Sequence, residues 1–226
     1  MAHDVGEDFK ADLRDLFVGD RTIGDSFPAP IVFVAVNAFA GLGAATGAAL
    51  GVGGLVALWR IRKGQQVAYA LAGIVAIGFA ALIALRSGRA EGYFLPGIVS
   101  SGAWAVAAVV SVGVRRPLAA WSSWGLRRWP LEWYWRPDVR PAYARITLVW
   151  AIYFAARSAV QWVLYINEAP ELLAAAKIAT SWPLILPLLA GSYVYGNRLL
   201  HSLGGPSVEE YAQGAAPPFA GEQRGF

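Results

Sequence analysis

The chain has 226 residues, 57% hydrophobic and only 15% charged, with a formal net charge of +4; a soluble domain ordinarily carries about 25% charged residues. It contains no cysteine and two histidines, His3 and His201, both near the termini, which excludes disulfides, thiol catalysis and cysteine-based metal or iron–sulfur centres and leaves the apolar middle without transition-metal ligands. Several apolar stretches approach the ~20 residues of a membrane span. The expected fold class is therefore all-α, a polytopic integral membrane helix bundle of about six hydrophobic helices, with no cofactor.

Residues 1–27 carry seven acidic residues against Lys10, Arg14 and Arg21, the opposite of a secretory signal's positive start. Phe9, Leu13, Leu16 and Phe17 share one helical face and Asp8, Asp12 and Asp15 the other, which predicts a short amphipathic cytoplasmic segment, either an interfacial lid or a partner-docking helix. Gly24, Pro28 and Pro30 end it, and a membrane domain is expected over 28–200.

Residues 31–59 are one apolar run. As a single helix the run would be ~43 Å long, too long for a ~30 Å hydrocarbon core, and its middle is glycine-rich. Division near 41–46 gives two short helices, about 31–43 and 45–59, and both a re-entrant hairpin and a pair of thin spans are open. The Gly43-xxx-Gly47-xxx-Gly51 spacing predicts a helix-packing stripe. Asn37 is the polar residue of this run, read as a ligand-binding residue or an interhelical hydrogen bond.

Arg60, Arg62 and Lys63 form a basic stop before the expected spans 67–85 and 92–114; Arg86, Arg89 and Glu91 lie between these at the rim. Residues 117–143 interleave arginine with aromatics and read as an interfacial segment, with Trp121, Trp124, Arg127, Arg128, Trp129 and Trp133 at the lipid interface. Anionic lipid headgroups at the cytoplasmic face are the expected partner, at ~1 kcal/mol per basic residue; an arginine-lined anion site is the alternative. Spans follow at 144–166 and 172–196, joined by a turn with Glu168 and Glu171, and residues 204–226 read as a disordered tail. Basic residues confined to loops argue against a nucleic-acid partner. A homo-oligomer stays open.

If 31–59 returns to its starting side, the arginine-rich connections all fall on one side, and the positive-inside rule gives N-in and C-in. Tyr153, Arg157, Gln161 and Tyr165 then form an i, i+4, i+8, i+12 stripe on the fifth helix. A cation at mid-membrane costs roughly 2.5–3.5 kcal/mol on insertion scales, so Arg157 and Lys177 need partners, and no acidic residue lies within any expected span. Pro183 and Pro187 are placed inside the last helix as a hinge, and the carbonyls they free are the expected partners of Arg157. Arg157, Gln161, Tyr165, Lys177, Ser181 and Asn37 form the candidate binding set for a small, anionic solute, as in a transporter or channel. The alternative is a non-transporting envelope or septation scaffold in which the polar cluster only holds helices together. An enzyme is not expected: no phosphate loop, HExxH or nucleophile–His–acid set is present, and the Lys177/Ser181 pair is a weak signal.

The Arg157-xxx-Gln161-xx-Leu164-Tyr165 run, Lys177-Ile178 with Trp182-Pro183-Leu184, and the Arg115-Arg116-Pro117-Leu118 stop resemble an uncharacterised family of actinobacterial multi-spanning membrane proteins, a domain of unknown function. That family is distantly similar to the intracellular septation protein A group. The resemblance covers residues 20–200 and implies a plasma-membrane (bacterial inner-membrane) protein of about six helices, with no activity established.

Overall fold

A computed structural model describes residues 28–222, and they are helical: α1 (Pro28–Arg62), α2 (Val67–Ser87), a 3-10 turn (Ala90–Phe94), α3 (Leu95–Gly113), α4 (Leu118–Arg127), α5 (Leu131–Tyr134), α6 (Arg140–Ile166), α7 (Pro170–Ala179), α8 (Trp182–Leu203) and α9 (Val208–Ala212). The amphipathic helix expected within 1–27 lies outside the described residues. Among the described residues, five stretches are long and apolar enough to cross a membrane: Pro28–Arg62, Ala70–Ser87, Ala90–Gly113, Arg140–Ile166 and Pro170–Leu203. The polytopic all-α expectation holds.

The difference from about six helices lies in the first run. It breaks at Gly41, inside the expected window, with φ 77 and ψ 174, a conformation essentially restricted to glycine. The break is uneven. Residues 42–62 make a helix ~31 Å long, enough to cross alone, whereas residues 28–40 reach only ~20 Å.

The chain divides into two compact units. The first comprises the described residues up to Pro96 together with Leu164–Ile178. Here α1 runs antiparallel to α2: Gly53 abuts Ile77, Gly78 faces Leu50 and Gly73 lies beside Arg60. The buried stripe of α1 is Ala45, Ala49, Gly53 and Ala57, with Thr46 beside it. This corrects the packing role given to Gly43, Gly47 and Gly51, which are exposed and whose added Cβ atoms would meet nothing within 4 Å. Two small-residue stripes with the same four-residue period run along this helix, and spacing alone does not say which one faces its partner. The 3-10 turn folds back onto α2, with Gly92 so close that a Cβ would lie 3.1 Å from Ala84 Cα. Phe33 stacks on Tyr93 at 4.2 Å and meets Phe94 edge-on at 6.5 Å, fixing residues 28–40 beside this turn.

The second unit comprises Gly97–Val163 and the described residues from Ala179 on. Its hydrophobic core joins two short helices to the ends of two membrane-capable ones. Ala120, Trp133, Tyr134, Val139, Ala142, Tyr143, Leu199 and Leu200 bury one another where α4, α5 and the ends of α6 and α8 meet. The first amides of α4 are satisfied from neighbouring helices: Leu118 N–H donates to Ser111 Oγ and Ala119 N–H to Thr147 Oγ1, both at 3.1 Å. Such partners are what a helix start without its own side-chain cap requires.

Two expectations are corrected here. Trp133, assigned to the lipid interface, is fully buried, and its indole N–H donates to the Pro206 carbonyl at 2.9 Å. Residues 204–222, read as a disordered tail, are held in place. Ser207 and Glu210 form a reciprocal capping box on α9. Ala220 N–H donates to Glu210 and Val208 N–H to Glu222, and the guanidinium of Arg136 lies over Tyr211 and Phe219, 5.8 Å from each ring. The backbone amides of Ala220 and Ser207 hold the Glu210 carboxyl below its usual range. The polar composition of this stretch hid the fact that its Val208 and Tyr211 pack against the aromatic core.

Candidate ligand site at a broken membrane helix

The apolar stretch 170–203 is not one helix. α7 ends at Ala179, Thr180 and Ser181 are non-helical, and α8 starts at Trp182. Ser181 takes φ −91 and ψ −127 ahead of α8, and Pro183 occupies its first turn. This corrects the reading of Pro183 as an interior hinge. In a helix's first turn a proline removes no intrahelical bond. Pro187 does lie inside α8, where it deprives the Pro183 carbonyl of a helical donor.

Within the second unit, the tyrosine, arginine and glutamine of the α6 stripe meet this break. Tyr153 Oη donates to the Thr180 carbonyl, Arg157 Nη1 donates to Tyr153 Oη at 3.1 Å, and Gln161 Nε2 lies 3.4 Å from Thr180 Oγ1. Gln161 is 3% exposed. The freed backbone is thus engaged, but through the tyrosine: Arg157 does not bond a carbonyl directly, as expected, and reaches it through the Tyr153 hydroxyl. Two further polar ties anchor α6. Ser158 Oγ donates to the Ile98 carbonyl at 3.0 Å, and Trp150 Nε1 donates to Ser192 Oγ at 3.1 Å.

Arg157 is the unusual member. Its Nε is buried without a hydrogen-bond partner, and among the described residues it makes no ion pair. A guanidinium has five N–H donors, and here a single neutral phenol receives one of them. The arrangement offers hydrogen-bond donors and positive charge. No group of three or more His, Cys, Asp or Glu residues that could hold a metal occurs among the described residues.

The remaining predicted residues lie in the first unit, apart from Ser181, which belongs to the break itself. Lys177 sits over the rings of Tyr93 and Phe94, at 5.9 and 5.7 Å. Tyr165 lies beneath the Arg89 guanidinium at 5.9 Å. Asn37 is half-buried on α1 ahead of Gly41 and makes no hydrogen bond among the described residues.

The reading of residues missed Thr180, whose hydroxyl and carbonyl both join the cluster. It also missed Glu91, assigned to the rim but 6% exposed. Its carboxylate lies 3.8 Å from Arg89 Nε, while Arg89 Nη2 bonds the exposed Glu168 at 2.6 Å. The signal for Glu91 was its position directly ahead of Gly92-Tyr93-Phe94, an apolar run that a rim residue does not need.

No curated protein and no solved structure matches the chain. A family described as "Protein of unknown function (DUF3159)" matches residues 18–202. That covers most of the chain, and the protein belongs to this family of unknown function.

Proposed function

We propose that this is a multi-pass plasma-membrane protein that binds and passes a small anionic solute at the Thr180–Ser181 break, as a transporter or channel. The observation that carries this reading is Arg157, a cation in a membrane-capable helix with a neutral hydroxyl as its hydrogen-bond partner and no ion pair among the described residues. An unbalanced charge at such depth costs several kcal/mol, and residues that bear this cost commonly mark substrate or ion pathways. Non-helical backbone at membrane depth is tolerated where it is enclosed by protein or lines a water-filled cavity, and transporter sites are commonly built on such discontinuous helices. Arg157 supplies the charge; Gln161, Thr180 and Ser181 supply hydrogen bonds.

The test is flux of chloride, phosphate and acetate into liposomes containing the purified protein. Arg157→Ala should abolish flux of the transported anion and Arg157→Lys should retain part of it. Wild-type flux in Arg157→Ala, or no flux of any anion with the folded wild-type protein, would sink the reading.

A second reading is favoured by the chain of bonds from Arg157 through Tyr153 to Thr180, which also serves to lock α6 onto the break. It makes the protein a non-transporting envelope scaffold, in keeping with the resemblance to the septation protein A group. Arg157→Ala would then lower the melting temperature with no anion effect.

The basic connections, Arg60–Lys63 and 115–128, are assigned to the cytoplasmic side. Residues 42–62 are long enough to cross alone; in that arrangement residues 28–40, tied to the 3-10 turn by Phe33, belong with the outer side, whereas a return of the first run keeps the N-in arrangement.

A further inference from the structure

Beyond the solute site, two arginines in the second unit adopt a backbone conformation that their side chains disfavour. Arg115 has φ 59 and Arg128 φ 57. Each terminates a helix in the left-handed conformation where glycine is the usual residue. Arg115 N–H returns to the Val112 carbonyl at 3.0 Å and Arg116 N–H to Ser111 at 2.8 Å, closing α3; Arg128 N–H returns to Trp124 at 2.8 Å, closing α4. Glycine would make the same backbone bonds without a Cβ penalty. Strain of this kind at both ends of α4 points to a use for the side chains.

Their surroundings indicate what that use is. Arg115, Arg116 and Arg128 are exposed and make no ion pair among the described residues. The acids of residues 114–139 are Glu132 and Asp138, and Asp138 is occupied by a two-pronged bond from Arg136 at 2.9 and 2.7 Å. Indole rings support the guanidinium planes: Arg116 over Trp135 at 4.3 Å, Arg128 over Trp124 at 4.8 Å and Arg127 over Trp129 at 5.0 Å. A guanidinium held over a ring keeps N–H donors available, and a pair of them suits two phosphate oxygens. The outward residues of α4, namely Trp121, Ser122, Gly125 and Leu126, include no charge, and Leu126 is 87% exposed. An uncharged face beside unbalanced arginines, joined by a short turn to the membrane-capable α3 and through α5 to α6, matches the headgroup–acyl boundary of a bilayer.

We infer that α4 lies in the membrane interface and that Arg115, Arg116 and Arg128 bind the phosphate of anionic phospholipids. The full-length protein in phosphatidylcholine nanodiscs, with and without phosphatidylglycerol, provides the test, read by melting temperature and by native mass spectrometry of retained lipid. Wild type should melt higher with phosphatidylglycerol and retain it selectively. Arg115→Gly/Arg128→Gly should melt at least as high as wild type in phosphatidylcholine, since strain is relieved, yet lose the phosphatidylglycerol increment and retain several-fold less of that lipid. Arg128→Asn, which tolerates the left-handed conformation, reports the same loss in part should the double variant fold poorly. An undiminished increment in these variants, no increment in wild type, or an equal increment from inorganic phosphate would each overturn the assignment.

Discussion

Tyr153 is the residue on which the polar cluster turns. Its hydroxyl accepts from Arg157 and donates to the Thr180 carbonyl, so one oxygen joins the cation to the open backbone. Removing it takes away two part-buried hydrogen bonds, at about 0.5–1.5 kcal/mol each. Tyr153→Phe should therefore lower the unfolding midpoint in detergent by more than a surface substitution does, and a midpoint equal to wild type would mean that the link carries no stability. The α6 stripe was legible in the sequence, because a helical period of polar residues in an apolar run has few other meanings. Arg157's partner was not, because nothing local distinguishes a carbonyl contact from a hydroxyl contact. Trp133 shows the same limit. It shares composition and neighbours with Trp121, yet one is fully buried and the other 40% exposed. The difference is made by Pro206, distant in the chain, which supplies the acceptor for its indole.

Among the elements, α1 and α8 diverge most from the helices read off the sequence, and for related reasons. Hydropathy marks where a chain is apolar and is blind to where its backbone turns. In α8 the Thr180-Ser181-Trp182-Pro183 sequence is a helix-start signature, a polar residue followed by proline in the first turn, and an uninterrupted apolar reading masked it. In α1 the glycine cluster correctly located the break, but Gly41 alone uses its conformational freedom there. The paired faces of α1 and α2 yield a sharp comparison. Gly53→Leu forces a side chain against Ile77, where even a Cβ would sit 2.6 Å from Cδ1, and overpacking of this kind costs typically 1–3 kcal/mol. Gly47→Leu points into open space. Thermal unfolding should therefore separate the two, with Gly53→Leu clearly destabilised and Gly47→Leu near wild type; the reverse order would place the α1–α2 contact on the other stripe.

For the whole molecule, the class was legible from composition and the sidedness was not, because it hangs on whether one 29-residue run crosses once or twice. A chain without cysteine permits a direct reading. Single cysteines at Ala40 and Gln213, probed in intact cells with a membrane-impermeant maleimide, test the single-crossing arrangement, in which Ala40→Cys labels from outside and Gln213→Cys only after permeabilisation. Equal protection of both would restore a re-entrant first run. The bond between Trp133 and Pro206 has a consequence for biosynthesis. Trp133 and Tyr134 are encoded ahead of the last two membrane-capable stretches, their core partners Tyr143, Leu199 and Leu200 within them, and the indole's acceptor and the segment over Arg136 after them. While those stretches are being inserted, this core is open, with its indole N–H unmet and its rings uncovered. Closure therefore marks the end of insertion rather than a step along it, and the half-made protein presents to the cell's quality control an aromatic surface that the finished one hides.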